Sequence, residues 1–458
     1  MYIGFIIAVQ FIALTAYGLY RKYNPQGVLL IVGMLMMAVG LLMGLYTISP
    51  ANPTGSVAFD LFKVVCETFS SNVARVGLMI MTIGGYVGYM KHIKASDTLV
   101  YVSMQPLSLF KRHSYLAACI IIPIGQVLFI TTPSATGLGL LLAASIFPVL
   151  VNLGVSRLTA ASVICACTVF DMGPGSANTA KAAEVVDMNN VFYFVEHQLH
   201  MTIPMTLLLM VFYYFSSRYF DKKDQQKGRP GSEHSVIEEN FKVDMPLVYA
   251  LLPLLPIILL IVFSKYVQLF NPPIELDTTT AMFVSLLIAM LFELVRTRSF
   301  KSVFAGLRAF WEGMGKMFTN VITLIVAAEI FSKGLISLGF IDALVQGSTH
   351  IGLPGIFIGV LITVMIFLAA MLMGSGNASF FSFGPLIPGI ATQLGLEPAR
   401  IILPMQLSSS MGRATSPIAG VIVAIAEVAG VSPMHLAKRN LIPLAGVLLL
   451  MLIYNYLF

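Results

Sequence analysis

Small polar residues interrupt the long apolar stretches of this chain at four places. The interruptions read TTPSATGLG, GPGSANTAK, GSGNASF and GRATSP, at residues 131–139, 173–181, 374–380 and 412–417. Glycine loosens a helix, and serine, threonine and asparagine offer the backbone other hydrogen-bond partners. The start of a helix presents free N–H groups to an anion, while exposed oxygens can hold a cation such as Na⁺. Each interruption alone is equally typical of close helix packing, so only the four together favour a binding site.

Three ionisable residues belong to these interruptions. Arg413 follows a glycine in the last one, where its guanidinium could hold a carboxylate in a bidentate pair. Lys181 ends the second one, and two cations in matching places would suit a substrate with two carboxylates. Asp171, just before the second one, is a candidate ligand for a proton or Na⁺. The structural alternatives are an arginine that caps carbonyl groups, a lysine that extends to the interface and an aspartate that caps a helix.

The remaining ionisable residues of the apolar segments give weaker signals. Glu329 and Glu427 have no obvious partner, and Glu196, His197 and His200 fit the end of a span better than a metal site. No cluster has the spacing of a transition-metal site, so none is predicted. No Ser/His/Asp set or pair of carboxylates stands in the interruptions, which argues against an enzyme.

The composition places these residues in a membrane. The chain has 458 residues, of which 57% are hydrophobic and 10% charged, and its mean hydropathy is +0.88. Soluble domains carry about 25% charged residues, so the composition indicates a polytopic membrane protein. The first apolar run lacks a basic start and a small-residue cleavage site, so we expect a retained span.

Apolar runs of about 20 residues can cross a hydrocarbon core of about 30 Å. Such runs lie at 2–20, 27–49, 73–90, 158–185, 193–216, 246–264, 279–296, 317–339, 401–427 and 441–457. Two longer regions, 115–153 and 351–394, have small and polar residues in the middle. Their second halves would reach only about 22 Å as helices, which is short for a span. We therefore predict that both regions are re-entrant helical hairpins.

The basic residues predict the orientation of these spans. Most of the 27 Lys and Arg residues fall on the cytoplasmic side if the N-terminus is outside and each hairpin returns to its own side. Both termini are then periplasmic, and the hydrophilic stretch 216–245 is a cytoplasmic linker. This asymmetry accounts for most of the net charge of +6, so no nucleic-acid partner is needed.

The linker separates two halves, 1–215 and 246–458, with the same order of parts. Each has three spans, a short stretch near 97–110 or 336–347, a hairpin, an interrupted span and a last span. The first hairpin, 115–153, would lie on the cytoplasmic side and the second, 351–394, on the outer side. The predicted fold is therefore an all-α polytopic membrane protein of two inverted repeats, with about ten transmembrane helices and two re-entrant hairpins.

Broken helices at matching positions of two inverted repeats are typical of the substrate site of a secondary transporter. A channel is the alternative from another class of membrane protein. It would need a continuous polar file or charged rings along a pore, whereas these interruptions converge on one level. The pattern therefore favours a carrier.

With these motifs, the chain resembles the anaerobic C4-dicarboxylate carrier family, DcuC, over nearly its whole length. The resemblance is sharpest at SATGLGLLLAASIFPVLVNLGVSRLTAA, GSGNASFFSF and MGRATSPIAGVIVAIA, residues 134–161, 374–383 and 411–426. It implies exchange, uptake or efflux of succinate, fumarate and related diacids across the bacterial inner membrane by alternating access. It also implies the ion transporter superfamily, a transport domain sliding against a scaffold, and a homodimer. A carrier of the same fold for an aminobenzoyl-dipeptide, a sugar acid or another organic anion is the alternative.

The resemblance also implies which residues contact the substrate and the coupling ion. The implied substrate site comprises Ser134, Thr136, Ser176, Asn178, Thr179, Ser375, Gly376, Asn377, Arg413, Thr415 and Ser416. The candidates for binding a coupling ion are Asp171, Ser134, Asn178, Asn377 and Thr415. The expected partners are a small dicarboxylate and the lipid bilayer. No cofactor is expected beyond Na⁺ at the hairpin tips, or H⁺, as the coupling ion.

Overall fold

The computed structural model describes residues 2–45, 48–105, 114–226, 243–264, 267, 274–350 and 355–457. Every regular element in those ranges is a helix. Within them, ten helical segments are long and apolar enough to cross a membrane. The prediction of an all-α polytopic membrane protein is therefore confirmed.

The described part of the first half is a series of helices. They are α1 (Tyr2–Tyr20), α2 (Pro25–Leu42), α3 (Val57–Asn72), α4 (Leu78–His92), α5 (Ala95–Met104), α6 (Ser114–Thr131), α7 (Ala135–Asn152), α8 (Arg157–Ala166), α9 (Ala177–Val185), α10 (Asn190–Tyr193) and α11 (Leu199–Gln226). A π-helical turn, Val73–Gly77, makes α3 and α4 continuous, and a second, Phe194–Gln198, joins α10 to α11.

The second half begins with a 3₁₀ helix, Leu247–Leu254, that leads directly into α12. The α-helices are α12 (Leu255–Val262), α13 (Thr278–Thr297), α14 (Phe300–Met317), α15 (Thr323–Ser337), α16 (Phe340–His350), α17 (Gly355–Met373), α18 (Gly376–Phe383), α19 (Ile387–Leu394), α20 (Pro398–Ala414), α21 (Gly420–Ala429) and α22 (Pro433–Leu457). A π-helical turn, Phe318–Ile322, joins α14 to α15, and a 3₁₀ turn, Gly384–Leu386, joins α18 to α19.

The two halves show the same order of elements and exchange reciprocal contacts. The continuous pair α3–α4 corresponds to α14–α15, and each pair contains one π-helical turn. Helix α2 packs on α15, while its counterpart α13 packs on α4. Likewise α1 contacts α16, and the 3₁₀ helix before α12 contacts α5. These contacts are reciprocal between the halves, and the two inverted repeats stay a prediction.

Both regions predicted as hairpins consist of helical arms around a short turn. In 115–153, α6 and α7 meet at residues 132–134, and in 351–394, α17 and α18 meet at residues 374–375. The second arm of the latter region bends through the 3₁₀ turn into α19. The return of each region to its own side of the membrane stays a prediction.

Several predicted boundaries need correction because charged residues interrupt an apolar run without ending the helix. The predicted spans 73–90 and 317–339 are the later parts of continuous helical segments that start at Val57 and Phe300. Charged residues such as Asp60 and Lys301 lie in the early parts of these segments. The predicted span 27–49 is shorter than expected, since α2 ends at Leu42.

The N-terminal part of the predicted linker 216–245 is helical, because α11 continues to Gln226. Its last turns carry Asp221 and Asp224, which lie 2.7 and 3.2 Å from the guanidinium of Arg439 on α22. Thr159, near the start of α8, also donates to Asp221 at 2.8 Å. These buried contacts hold the polar end of α11 against the helix bundle. Residues 227–242 of the predicted linker lie outside the described residues.

Glycines bring neighbouring helices into backbone contact at two crossings. On α2, a Cβ added to Gly33 would lie 2.6 Å from the backbone nitrogen of Phe331 in α15. On α15, a Cβ added to Gly334 would lie 2.7 Å from the carbonyl oxygen of Gly33. At the second crossing, a Cβ on Gly88 of α4 would lie 2.7 Å from the carbonyl oxygen of Ala309 in α14. Small residues at such crossings let membrane helices approach closely.

This packing makes a prediction about stability. We expect Gly33→Ala to lower the free energy of unfolding by about 1–3 kcal/mol, because the added methyl group forces α2 away from the backbone of α15. The matched control is Gly315→Ala in α14, since a Cβ there meets nothing within 4 Å. Thermal unfolding of the purified protein in detergent measures both variants. Equal melting temperatures for the two variants would contradict the predicted contact.

Candidate functional site

A cavity of about 340 Å³ lies where the four sequence interruptions meet. This volume is at the lower end of the range of about 300–1,000 Å³ for small-molecule sites. The polar or charged residues and glycines that line it are Ser134, Thr136, Asp171, Gly175, Asn320, Gly374, Ser375, Gly376, Asn377, Arg413 and Gly420. Apolar residues of α4, α6, α14, α15 and α21 complete the walls. The chain therefore brings its helix breaks to one place.

Four helices begin at this cavity. Ala135 of α7, Ala177 of α9, Gly376 of α18 and Gly420 of α21 are each the first residue of a helix and line the cavity wall. The first N–H groups of a helix have no partner within it and carry a partial positive charge. Four such helix starts around one cavity favour the binding of an anion.

The turns in the two predicted hairpins have the same local geometry. The Oγ atom of Ser134 accepts a hydrogen bond from the backbone nitrogen of Gly137 at 3.2 Å. The Oγ atom of Ser375 accepts one from Ala378 at the same distance. Both serines are extended N-cap residues, which is the usual start of a helix after a sharp turn. Because each hydroxyl accepts here, its own proton is available to a ligand.

Arg413 supplies the cation of the cavity. Its Nη2 donates to the carbonyl oxygen of Thr168, in the break between α8 and α9, at 2.6 Å. Within the described residues, this is the only hydrogen bond of the guanidinium, and its Nε has no partner. A guanidinium has five N–H donors in a planar fork, so donors remain for a carboxylate.

The break beside Arg413 starts later than the sequence predicts. Arg413 itself lies in the last turn of α20, and the non-helical residues are 415–419. A cation in the last turn is stabilised by the partial negative charge at the end of a helix. In the first broken span, by contrast, the break starts earlier than predicted, since the non-helical residues are 167–176 and the end of the predicted interruption at 173–181 is helical.

Asp171 is the carboxylate of the cavity wall, and its side chain also organises the first break. Its Oδ1 accepts from Ser176 at 2.6 Å, and its Oδ2 accepts from Asn178 at 3.0 Å. Ser176 in turn caps α9, since its Oγ accepts from the backbone nitrogens of Asn178 and Thr179 at 3.1 and 3.3 Å. Asp171 thus connects the cavity to the start of α9.

Two glutamines that the sequence analysis did not single out form hydrogen bonds to this break and to the start of α9. The Oε1 of Gln198 accepts from the backbone nitrogen of Gly173 at 3.0 Å, and its Nε2 donates to Thr179 at 2.9 Å. The Nε2 of Gln406 donates to the carbonyl oxygen of Asp171 at 2.9 Å. Both glutamines are fully buried. Their sequence signal is an amide inside an otherwise apolar span.

The structure brings together some of the predicted site residues and separates others. Those that line the cavity are Ser134, Thr136, Asp171, Ser375, Gly376, Asn377 and Arg413. Ser176, Asn178, Thr179 and Ser416 are fully buried and are not among the lining residues. Thr415 lines a different cavity near the end of α1, and its hydroxyl donates to the carbonyl oxygen of Gly412 at 2.8 Å. A contact of any of these residues with substrate or ion stays a prediction.

Asn320, on the π-helical turn between α14 and α15, is a polar lining residue that the sequence analysis missed. It lies inside a predicted span, and no glycine or proline marks the position. The π-helical turn could not be predicted from the local pattern.

In the described part of the chain, no group of three His, Cys, Asp or Glu side chains could hold a metal ion.

Lys181 is not part of the cavity, so its expected pairing with Arg413 as a second substrate cation was wrong. Its Nζ lies 2.7 Å from Glu184 and 3.4 Å from Glu329 of α15, and it donates to Asn72 at 3.3 Å. Glu329 therefore has partners that the sequence did not reveal, including Lys333 at 3.4 Å. The sequence could not show this pairing because Lys181 and Glu329 are 148 residues apart.

Residues 3–457 match the family described as the C4-dicarboxylate anaerobic carrier, DcuC. The chain is 32% identical over 451 residues to the anaerobic C4-dicarboxylate transporter DcuC of Escherichia coli K12, covering 96% of this chain and 94% of that protein. It is 33% identical over 438 residues to the probable anaerobic C4-dicarboxylate transporter DcuC of Vibrio cholerae, covering 94% and 92%.

Two solved structures share the fold at low sequence identity. MtrF of Neisseria gonorrhoeae, described with a class of antimetabolite efflux pumps, superposes with a TM-score of 0.64 at 12% identity, over 94% of this chain and 95% of MtrF. The YdaH transporter of Alcanivorax borkumensis gives a TM-score of 0.53 at 15% identity, over 94% and 98%. These likenesses show a membrane-transporter fold, and the match to the family over nearly the whole chain shows that it belongs to the C4-dicarboxylate anaerobic carrier family, DcuC.

Proposed function

We propose that this chain is a secondary transporter that moves C4-dicarboxylates such as succinate and fumarate across the bacterial inner membrane by alternating access. The names of the DcuC relatives support the substrate class. The same cycle runs as exchange, uptake or efflux according to the gradients present. A carrier of the same fold for another organic anion is the alternative.

The observation that carries this proposal is the unused hydrogen-bonding capacity of Arg413 in a cavity at which four helices begin. Asp171 lies close enough to attract the charge of Arg413, but no hydrogen bond joins the two among the described residues. A buried cation normally has its donors satisfied, because donors without acceptors are costly in the membrane. A carboxylate would satisfy the remaining donors of Arg413. The helix starts at Ser134–Thr136 and Ser375–Asn377 would offset the cost of removing the anion from water.

The coupling ion, the assembly and the orientation belong to the same proposal. We assign the coupling role to Asp171, since it is the one carboxylate among the described lining residues of the cavity. Ser134 and Asn377 also line the cavity, and Asn178 acts through its bond to Asp171. Thr415 is the candidate ion ligand that faces elsewhere. Na⁺ or H⁺ as the coupling ion, a homodimer and periplasmic termini complete the proposal.

Counterflow in proteoliposomes tests the proposed function. Vesicles are loaded with unlabelled succinate, and a trace of labelled succinate is added outside, with and without Na⁺ and at two pH values. We expect a transient accumulation of label, because a carrier that exchanges its substrate concentrates the tracer. Accumulation only with Na⁺ would make Na⁺ the coupling ion. Its absence for succinate and fumarate, with accumulation of another organic anion, would establish the alternative.

Substitution of Arg413 tests the role of the cavity cation. We expect Arg413→Gln to weaken succinate binding by roughly 10- to 100-fold, because hydrogen bonds to a charged group contribute about 1.5–3 kcal/mol. Arg413→Lys keeps the charge but loses the planar fork, so an intermediate effect is expected. Arg218→Gln, at an exposed arginine of α11 away from the cavity, is the control. Unchanged counterflow in folded Arg413→Gln protein would refute the anion-binding role.

Substitution of Lys181 should affect stability and leave substrate affinity unchanged. Lys181→Gln removes one member of a largely buried ion-pair network, which costs about 1.5–3 kcal/mol because Glu184 loses its nearest cation and Glu329 keeps only Lys333. The double variant Lys181→Gln, Glu329→Gln should recover part of that loss. Thermal unfolding measures stability, and succinate concentration dependence of uptake gives KM. A tenfold higher KM with an unchanged melting temperature would instead place Lys181 at the substrate.

A further inference from the structure

A groove of about 460 Å³ adjoins the central cavity. The groove and the cavity share two lining residues, Ser134 at the start of α7 and Met317 at the end of α14. The groove lies between α7, which contributes Leu140 and Leu141, and the crossing pair α4 and α14. The shared residues place the groove directly beside the cavity.

One face of α4 runs from the cavity along the groove. Ile80 lines the cavity, and Gly84, Gly88 and Lys91 line the groove at intervals of about one helical turn. At 1.5 Å per residue, Lys91 lies about 16 Å along the helix from Ile80. Asp97 of α5 also lines the groove, where Lys91 attracts its carboxylate. The outer end of the groove is therefore polar and charged.

Lys316 lies much closer to the cavity, because it directly precedes the shared residue Met317. Its side chain is exposed, and no carboxylate of the described residues lies within 4 Å of its Nζ. Glu312, one turn earlier on α14, is instead paired with Arg308 at 2.8 Å. Lys316 is thus a cation without a carboxylate partner among the described residues, on a flexible stem in the groove beside the cavity.

A dicarboxylate in the cavity would meet one cation, Arg413, among the described lining residues, so its second carboxylate would have none. Arg413 can hold one carboxylate, while Lys181, the other candidate, is paired with Glu184 and Glu329. We propose that Lys316 forms a second anion subsite in the groove. It binds one carboxylate of a short dicarboxylate whose other carboxylate is held by Arg413 in the cavity. This inference rests on the proposed function and adds a residue that distinguishes diacids from monoacids.

Uptake of labelled succinate by proteoliposomes tests this subsite. We expect Lys316→Gln to raise KM about fivefold with little change in maximal rate, since an exposed cation contributes less than a buried one. Lys316→Arg, which keeps the charge, should restore most of the affinity. The matched control is Lys301→Gln, which removes an exposed lysine of the same helix that lines neither the groove nor the cavity.

Two further measurements separate a substrate contact from a structural effect. Monomethyl succinate, which has one carboxylate, should inhibit uptake by the wild-type and Lys316→Gln proteins with inhibition constants within twofold of each other. The difference in KM for succinate between these two proteins should shrink as the ionic strength rises, because salt screens an exposed charge. Melting temperatures equal to that of the Lys301→Gln protein would confirm that Lys316→Gln is folded.

The outcomes distinguish this inference from the proposed function. If the wild-type protein transports succinate and Lys316→Gln has the same KM as Lys301→Gln, the subsite is wrong and the proposed function stands. An equal loss of affinity for the diacid and its monoester would also overturn the subsite. If the wild-type protein transports no C4-dicarboxylate, the proposed function fails and the subsite fails with it.

Discussion

A backbone N–H or C=O group without a partner is too costly in the hydrocarbon core of a membrane, and the arrangement of this chain follows from that constraint. A membrane helix can break only where other protein groups surround the break. Here side chains of the second broken span donate hydrogen bonds to backbone carbonyl groups of the first. Arg413 at the end of α20 donates to the carbonyl oxygen of Thr168 in the first break, and Gln406, also of α20, donates to that of Asp171. The breaks must therefore lie together, and the helix starts around them form the central cavity.

Charged side chains follow the same rule, and Arg413 departs from it at the cavity. Lys181 is paired with Glu184 and Glu329, and Arg439 is paired with Asp221 and a second aspartate of α11. These pairs join elements that are distant in the sequence, so their role is to hold helices together. Arg413 differs because most of its donors have no partner among the described residues. An intramembrane cation left in this state is best explained by a ligand that completes it.

Local sequence patterns predicted the helices and the places where they break, because both depend on neighbouring residues. Apolar runs gave the spans, and clusters such as GSGNASF gave the turn that Ser375 caps. Patterns failed where a distant partner decides the outcome. Arg439 binds Asp221 at the polar end of α11, and Lys181 lies outside the cavity, paired with the distant Glu329 as well as with its neighbour Glu184. The lining residue Asn320 was missed because nothing in its neighbourhood marks a π-helical turn.

The small residues in the apolar segments had two alternative readings, helix packing and a binding site, and the structure gives them both roles. A Cβ added to Gly376 would lie 2.9 Å from the carbonyl oxygen of Ser409, so this glycine is required for packing, yet it also lines the cavity. Gly88 and Ala309 likewise pack α4 against α14 and line the groove beside Lys316. A residue without a large side chain lets two backbones meet on one side and leaves space on the other. Close packing of the helices therefore creates the volume that a small anion could occupy.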